Sequence, residues 1–313
     1  MELVKNISII FMSIFFESLP FLLLGSIISS IIETFVKDET IEELIPKTPI
    51  LGSIIGVILG FFLPACDCAV IPVSKRLIKK KVPINVAISF MLASPIINPV
   101  VLLSTYKAFY QTNPEIFWYR LLFGIVVALV IGIIVGLIFN KKDVLSNNSV
   151  ATCDCHDDCL CHEHDHHHHD ENRSFKEIVE SIMSHTVIDM FDVVKYLMFG
   201  AFLASLVQVI LPRSILTIFN NNQILSIITL MLFAYLISLC STSDSFVGKS
   251  LLSIFPETAV MAYLLLGPMI DIKNTIVLFG NYKKKFVIVL VSLIFAVIFV
   301  ASLLLGVILW KDI

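Results

Sequence analysis

The chain has 313 residues, 57% of them hydrophobic and 15% charged, with a mean hydropathy of +0.92. Soluble globular proteins carry about 25% charged residues, so this composition excludes a soluble fold and indicates a membrane protein. A formal net charge of −3 offers no basic surface, which argues against nucleic acid as a partner.

Eight apolar stretches follow one another: 7–32, 50–73, 82–106, 121–139, 190–211, 224–243, 258–281 and 286–310. The first is too long, and carries Glu17 too deep, for a cleaved leader, and is expected to stay in the mature protein. The second holds only 14 apolar residues, Ile50 to Leu63, before Pro64. At about 1.5 Å per residue they span about 21 Å, short of a hydrocarbon core of roughly 30 Å. Val82–Tyr106, Leu121–Phe139, Ile224–Ser243 and Phe286–Trp310 each exceed the roughly 18 uncharged residues expected of a spanning helix. The expected fold is all-α and polytopic, with broken or re-entrant helices at mid-membrane.

The two halves resemble each other at an offset of 173–175 residues. Phe16-Glu17 and Gly25 recur as Phe191-Asp192 and Gly200. Cys66, Val73, Lys75 and Leu77 fall on Cys240, Val247, Lys249 and Leu251, and Ser94-Pro95-Ile-Ile-Asn98 falls on Gly267-Pro268-Met-Ile-Asp271. Duplication predicts a first transmembrane repeat over 1–140, a cytosolic loop over 141–173 and a second repeat over 174–313. Short cytoplasmic loops are enriched in Lys and Arg. Eight full crossings with the N-terminus inside put 13 of the 22 basic residues in the cytosol. Treating 50–81 and 224–256 as re-entrant hairpins, with the N-terminus outside, raises this to 16 and inverts the halves, a recurring transporter plan. The length of 224–243 keeps eight crossings open.

Pro64-Ala-Cys66-Asp67-Cys68-Ala-Val-Ile-Pro72 places two thiols and a carboxylate between prolines expected to break the helix. An intramembrane Asp is costly in lipid, which makes Asp67 a functional candidate, and soft thiolates on either side suit a soft metal or metalloid. Cys66 and Cys68 as packing residues, with Asp67 as a helix cap, is the structural alternative. The equivalent place in the second half, Cys240-Ser-Thr-Ser243-Asp244-Ser245, surrounds one acid with small hydroxyls and a thiol. It would line a polar cleft or cap a half-helix, or serve only helix packing. Proline marks two further runs, Pro95-Ile-Ile-Asn98-Pro99 and Pro268-Met-Ile-Asp271, each expected to kink and to present an amide or acid for a cation or proton. Glu17 and Asp192 are further ion-carrier candidates, though Asp192 beside Lys195 also suits the membrane interface.

The loop carries Cys153, Cys155, His156, Cys159, Cys161, His162, His164, His166, His167, His168 and His169, with no apolar period. Paired C-x-C-H units within ten residues suit Zn(II) or Cu(I) and mark a metal-binding tract that need not touch the transported cargo. Seven cysteines, clustered and odd in number, do not form a disulfide framework.

From Pro64 to Leu77 and from Ala87 to Val100, the chain resembles the predicted-permease family that includes the organoarsenical exporter ArsP. The family pattern of a proline, two cysteines one residue apart, a second proline, a basic pair and a later Pro-x-x-Asn-Pro is met by Pro64, Cys66, Cys68, Pro72, Lys75 with Arg76, and Pro95, Asn98 with Pro99. The resemblance implies an inner-membrane permease whose best-understood branch moves trivalent organoarsenicals.

The expected function is a secondary exporter of a soft metalloid or metal ion, not an enzyme. Cargo would be held by Cys66 and Cys68 with Cys240, and Asp67, Asp244 and Asp271 would carry the coupling ion. No G-x-x-x-x-G-K-[ST] pattern for ATP is present and no cofactor is required. The alternatives are a divalent-metal transporter, a membrane thiol oxidoreductase using Cys66 and Cys68, and a metal-sensing subunit. Partners are expected to be the plasma-membrane bilayer and a second copy or a second permease subunit.

Overall fold

The computed structural model describes residues 2–35, 48–63, 67–145, 175–210 and 222–310. Among them the protein is all-α. The first half runs α1 (Glu2–Phe35), α2 (Pro49–Phe62), α3 (Asp67–Lys79), α4 (Ile84–Ile97), α5 (Pro99–Phe109) and α6 (Glu115–Ile138), followed by the one-turn α7 (Lys141–Val144). The second runs α8 (Phe175–Ile210), α9 (Gln223–Ile237), α10 (Ser241–Leu251), α11 (Glu257–Met269), α12 (Ile272–Asn281) and α13 (Lys284–Trp310). Each half thus begins with a long helix, continues through four short ones and ends with a long one.

Among the described residues six segments are long and apolar enough to cross a bilayer: α1, α4 with α5, α6, α8, α11 with α12, and α13. α4 and α11 are buried along nearly their whole length, forming the bundle centre, whereas α1, α6, α8 and α13 present large apolar side chains such as Phe16, Leu137, Phe199 and Val307 outward, as lipid contact requires. Of the two readings of 224–243, a break and a full crossing, the break is found. α9 stops at Ile237, and Ser238 takes the left-handed conformation, φ 57° and ψ 49°. Fifteen helical residues span about 22 Å, so α9, like the 14-residue α2, ends inside the membrane.

α1 and α8 lie antiparallel along each other. Ser29 donates to Asp189 Oδ2 at 3.2 Å and Thr186 donates to Ser30 at 3.0 Å, while Phe11, three turns or more earlier on α1, meets Phe202 further along α8. An odd number of crossings must separate the start of α1 from the start of α8. Three crossings supply this, four do not, which favours the re-entrant arrangement of α2–α3 and α9–α10.

Proline acts differently from expectation. Pro72 lies inside α3, which continues to Lys79; its missing N–H takes the Cys68 carbonyl out of the helical ladder without ending the helix. Pro95 and Pro268 also lie inside α4 and α11, and the breaks come later, at Asn98 and at Ile270-Asp271. There the side chains act as caps: Asn98 accepts from the Val100 amide at 2.9 Å, with Pro99 at the first turn of α5, and Asp271 accepts from the Asn274 amide at 2.6 Å. Pro64 lies outside the described residues.

α2 reaches α4 through glycine. A Cβ at Gly56 would strike the Val86 carbonyl, and one at Gly60 would come within 2.9 Å of the Ser94 nitrogen. Gly56→Val is expected to destabilise by about 1–3 kcal/mol through overpacking, read as a lower thermal midpoint of the detergent-solubilised protein.

Candidate translocation site

α3 and α10 meet end to end at their N-termini. Asp67, the first residue of α3, accepts a 2.5 Å hydrogen bond from Ser241, the first residue of α10. Cys68 follows on α3, and Cys240 caps α10, its sulfur 3.3 Å from the Thr242 hydroxyl. Around this junction lies a cleft lined by Glu17, Asp67, Cys68, Ser238, Cys240 and Lys273. Two helix N-termini, two thiols and one buried carboxylate therefore share a single small polar space inside an apolar bundle.

A second layer supports the first. Ser238, at the left-handed turn between α9 and α10, donates to Asp271 Oδ2 at 2.5 Å, and the other Asp271 oxygen caps α12. Lys273 Nζ stands 3.7 Å from Asp271 Oδ2, with both side chains almost fully buried. The cleft thus combines Asp67 and the Lys273 ammonium with soft sulfur, a set able to hold a polarisable cargo and to compensate its charge.

A separate polar centre lies further along α10. Arg120 of α6 is fully buried, and its Nη1 donates to Thr105 at 2.6 Å and to Ser245 at 2.7 Å. Asp244 accepts from the Tyr263 hydroxyl at 2.9 Å. Nε and Nη2 of Arg120 and Oδ2 of Asp244 have no hydrogen-bond partner among the described residues, although the two charges lie within electrostatic range of each other. Gly267 is required here, since a Cβ would sit 2.7 Å from Asp244 Oδ2. Opposite charges held apart with hydrogen-bonding capacity to spare can exchange a proton or an ion with little rearrangement.

Of the residues expected to form the site, Asp67, Cys68 and Cys240 come together with Glu17, and Asp271 stands one hydrogen bond behind them. Asp244 belongs to the Arg120 centre. Asn98 is a buried cap away from the cleft. Ser243 is exposed on α10 and it is Ser241 that meets Asp67. Asp192 is paired with Lys195 at 3.1 Å on an exposed face, which fits its interfacial alternative. Cys66 and the loop residues Cys153, Cys155, His156, Cys159, Cys161, His162, His164 and His166 to His169 lie outside the described residues. Among the described residues no group of three or more His, Cys, Asp and Glu is placed to hold a metal ion.

Sequence reading passed over Arg120, Lys273, Ser238 and Tyr263. Arg120 stood just before the apolar run beginning at Leu121, where a charge reads as a loop residue; α6 begins at Glu115 and draws it into the bundle. The one available signal was an arginine followed by 20 uncharged residues with no basic neighbour.

Residues 3–307 match the family described as "Predicted permease" (ArsP_1). The chain is 36% identical to a putative two-component membrane permease complex subunit of Streptococcus mutans, over 95% of this chain and 94% of that one. It is also 36% identical to UPF0718 protein YcgR of Bacillus subtilis, over 94% and 95%. No solved structure matches. With six spans, a thiol- and carboxylate-lined cleft at the meeting of two half-helices, and this coverage, the chain belongs to the predicted permease family of multi-pass membrane proteins.

Proposed function

We propose that this permease is a secondary exporter of the plasma membrane that carries a soft metalloid or metal species, such as a trivalent organoarsenical, by alternating access of two inverted repeats, 1–140 and 174–313. The observation that carries this reading is the cleft at the junction of α3 and α10, lined by Asp67 and Cys68 from one helix and by Cys240 from the start of the other. Thiolates bind soft, thiophilic centres, and a cleft at mid-membrane between discontinuous helices is where transporters place their cargo. Cys66, two residues from Cys68, supplies a further thiol. Asp67, Asp244 and Asp271 are the acids available to couple transport to a proton or ion gradient.

The inverted-repeat reading is supported by the antiparallel course of α1 and α8, whose sequences correspond at an offset of 175, and by the contact of Asp67 with its counterpart Ser241, 174 residues on. The loop over 141–173 binds Zn(II) or Cu(I) as an accessory tract. A divalent-metal cargo is the second reading, favoured by Glu17 beside Asp67 at the cleft. A second subunit is suggested by the name of the Streptococcus mutans relative.

The test is uptake into everted membrane vesicles of a trivalent methylarsenical and, separately, of Zn(II). Arsenical accumulation that is abolished by Cys66→Ser/Cys68→Ser and unaffected by deletion of residues 151–170 is expected. Zinc accumulation lost in Asp67→Asn would replace the cargo, and no accumulation of either would overturn the exporter reading.

A further inference from the structure

The α1–α8 pair is seated on only one of two equivalent surfaces. At Gly25, α1 presses on Ala69 of α3, where a Cβ would come 2.6 Å from the alanine's own. Arg76 of the same α3 forms a bidentate pair with Asp189 of α8, at 2.6 and 2.9 Å. On the other flank Gly200 of α8 lies on the Lys273 backbone of α12, 3.1 Å from a would-be Cβ, and the Tyr196 ring covers Gly280.

The offsets of 173–175 assign each contact a counterpart. Ala69 corresponds to Ser243, Arg76 to Ser250, Lys273 to Val100 and Gly280 to Lys107; Gly25 and Gly200 correspond to each other, as do Phe21 and Tyr196, and Ile14 and Asp189. Ala69 and Lys273 are almost wholly buried, whereas Ser243, Ser250, Val100 and Lys107 are all exposed. The same surface that α3 and α12 hide beneath α1–α8 stands uncovered on α10 and α5. Those two helices already adjoin, Ser104 donating to the Thr242 carbonyl at 2.8 Å and Thr105 lying 3.1 Å from Ser245, so they present one continuous face.

We propose that the α5–α10 face is the second docking surface of the α1–α8 pair: the pair rocks from α3–α12 to α5–α10, seating Gly25 on Val100, Phe21 on Lys107, Gly200 on Ser243 and Ile14 beside Ser250. The proposal rests on the inverted-repeat permease reading and names the moving part. Repeat-related surfaces on either side of the Asp67–Ser241 contact give the mover two seats at corresponding places, so closing one side opens the other. The Arg76–Asp189 pair has no ionic counterpart, since Ser250 and Ile14 carry no charge; it is a latch that favours the present seat. That seat adjoins the ends of α3 and α12 that lead into Lys79–Lys81 and Lys283–Lys285, the basic and hence cytoplasmic side, so the described state is closed towards the cytosol.

The test needs no cargo and so separates from failure of the exporter reading. p-Benzoylphenylalanine is placed at Phe21, an aromatic position at the edge of the cleft, in the full-length protein in native membranes. Photocross-links are mapped by mass spectrometry with and without Arg76→Ala. Cross-links to the Ser104–Tyr110 segment of α5, rising several-fold when the latch is cut, are expected; the same probe at Ile14 should reach Phe246–Leu251. Cross-links confined to α3, α9 and α12 in both backgrounds would overturn the proposal. So would probes at Val100 and Ser243 that capture a second polypeptide rather than α1 or α8, which would make this face a subunit interface. Expression and detergent gel filtration of each variant establish that it is folded.

Discussion

Arg120→Ala is expected to cost about 3–5 kcal/mol of stability, the range for removing one side of a buried charge arrangement. Thr105 and Ser245 lose the donor that both face, and Asp244, 2% exposed, is left without its nearby positive charge. The measurement is the thermal unfolding midpoint of purified protein together with the amount recovered from membranes. Arg120→Ala/Asp244→Asn should recover part of the loss, because the double variant removes the uncompensated carboxylate. A double variant no better than the single one would mean that Arg120 stabilises through its stem and its hydroxyl partners rather than through charge.

Asp271→Ala is expected to be comparably severe, about 3–5 kcal/mol, because one carboxylate does three things. It caps α12 through the Asn274 amide, accepts from Ser238 at the turn that starts α10, and stands 3.7 Å from the buried Lys273 ammonium. Asp271→Asn retains an acceptor for the cap and should keep more stability than alanine while losing the charge. Thermal unfolding separates the two, and a transport assay on the surviving asparagine variant then reads the charge alone. Equal midpoints for alanine and asparagine would show that the ion pair, not the cap, carries the effect.

Much of the architecture was legible in the sequence because the bilayer imposes it. Runs such as Leu121–Phe139 admit one interpretation, and the short run Ile50–Leu63 before Pro64 declares its own break. Charge placement favoured a hairpin over 224–256, but the position of the α9 break was not legible. Nothing in Ile224–Ser243 forbids a continuous helix, and the turn at Ser238 is held by Asp271, 33 residues away. Proline misleads in the opposite direction: Pro72 sits inside a helix that runs on to Lys79, a missing hydrogen bond being tolerated in the bundle, and at Pro95 and Pro268 the break falls two to three residues beyond the proline. The acids and thiols of the cleft were recognisable because such side chains are costly in lipid. The cations were not: Arg120 sits at the margin of an apolar run, where charges commonly belong to loops, and Lys273, inside the run 258–281, gives no sign in sequence that it folds back onto Asp271 two residues before it.

The pairing of α1 with α8 also bears on how the chain is made. α1 leaves the ribosome before the other described helices and, apart from its contact with α3 at Gly25 and Ala69, faces outward over most of its length. Its long antiparallel companion follows 173 residues later, roughly 9–35 s at a synthesis rate of about 5–20 residues per second. During that interval Glu17 and the hydroxyls of Ser29 and Ser30 sit in a helix whose matching surface does not yet exist. The nascent N-terminal segment therefore depends on the insertion machinery, or on lipid headgroups drawn inward, until the second half arrives to receive it.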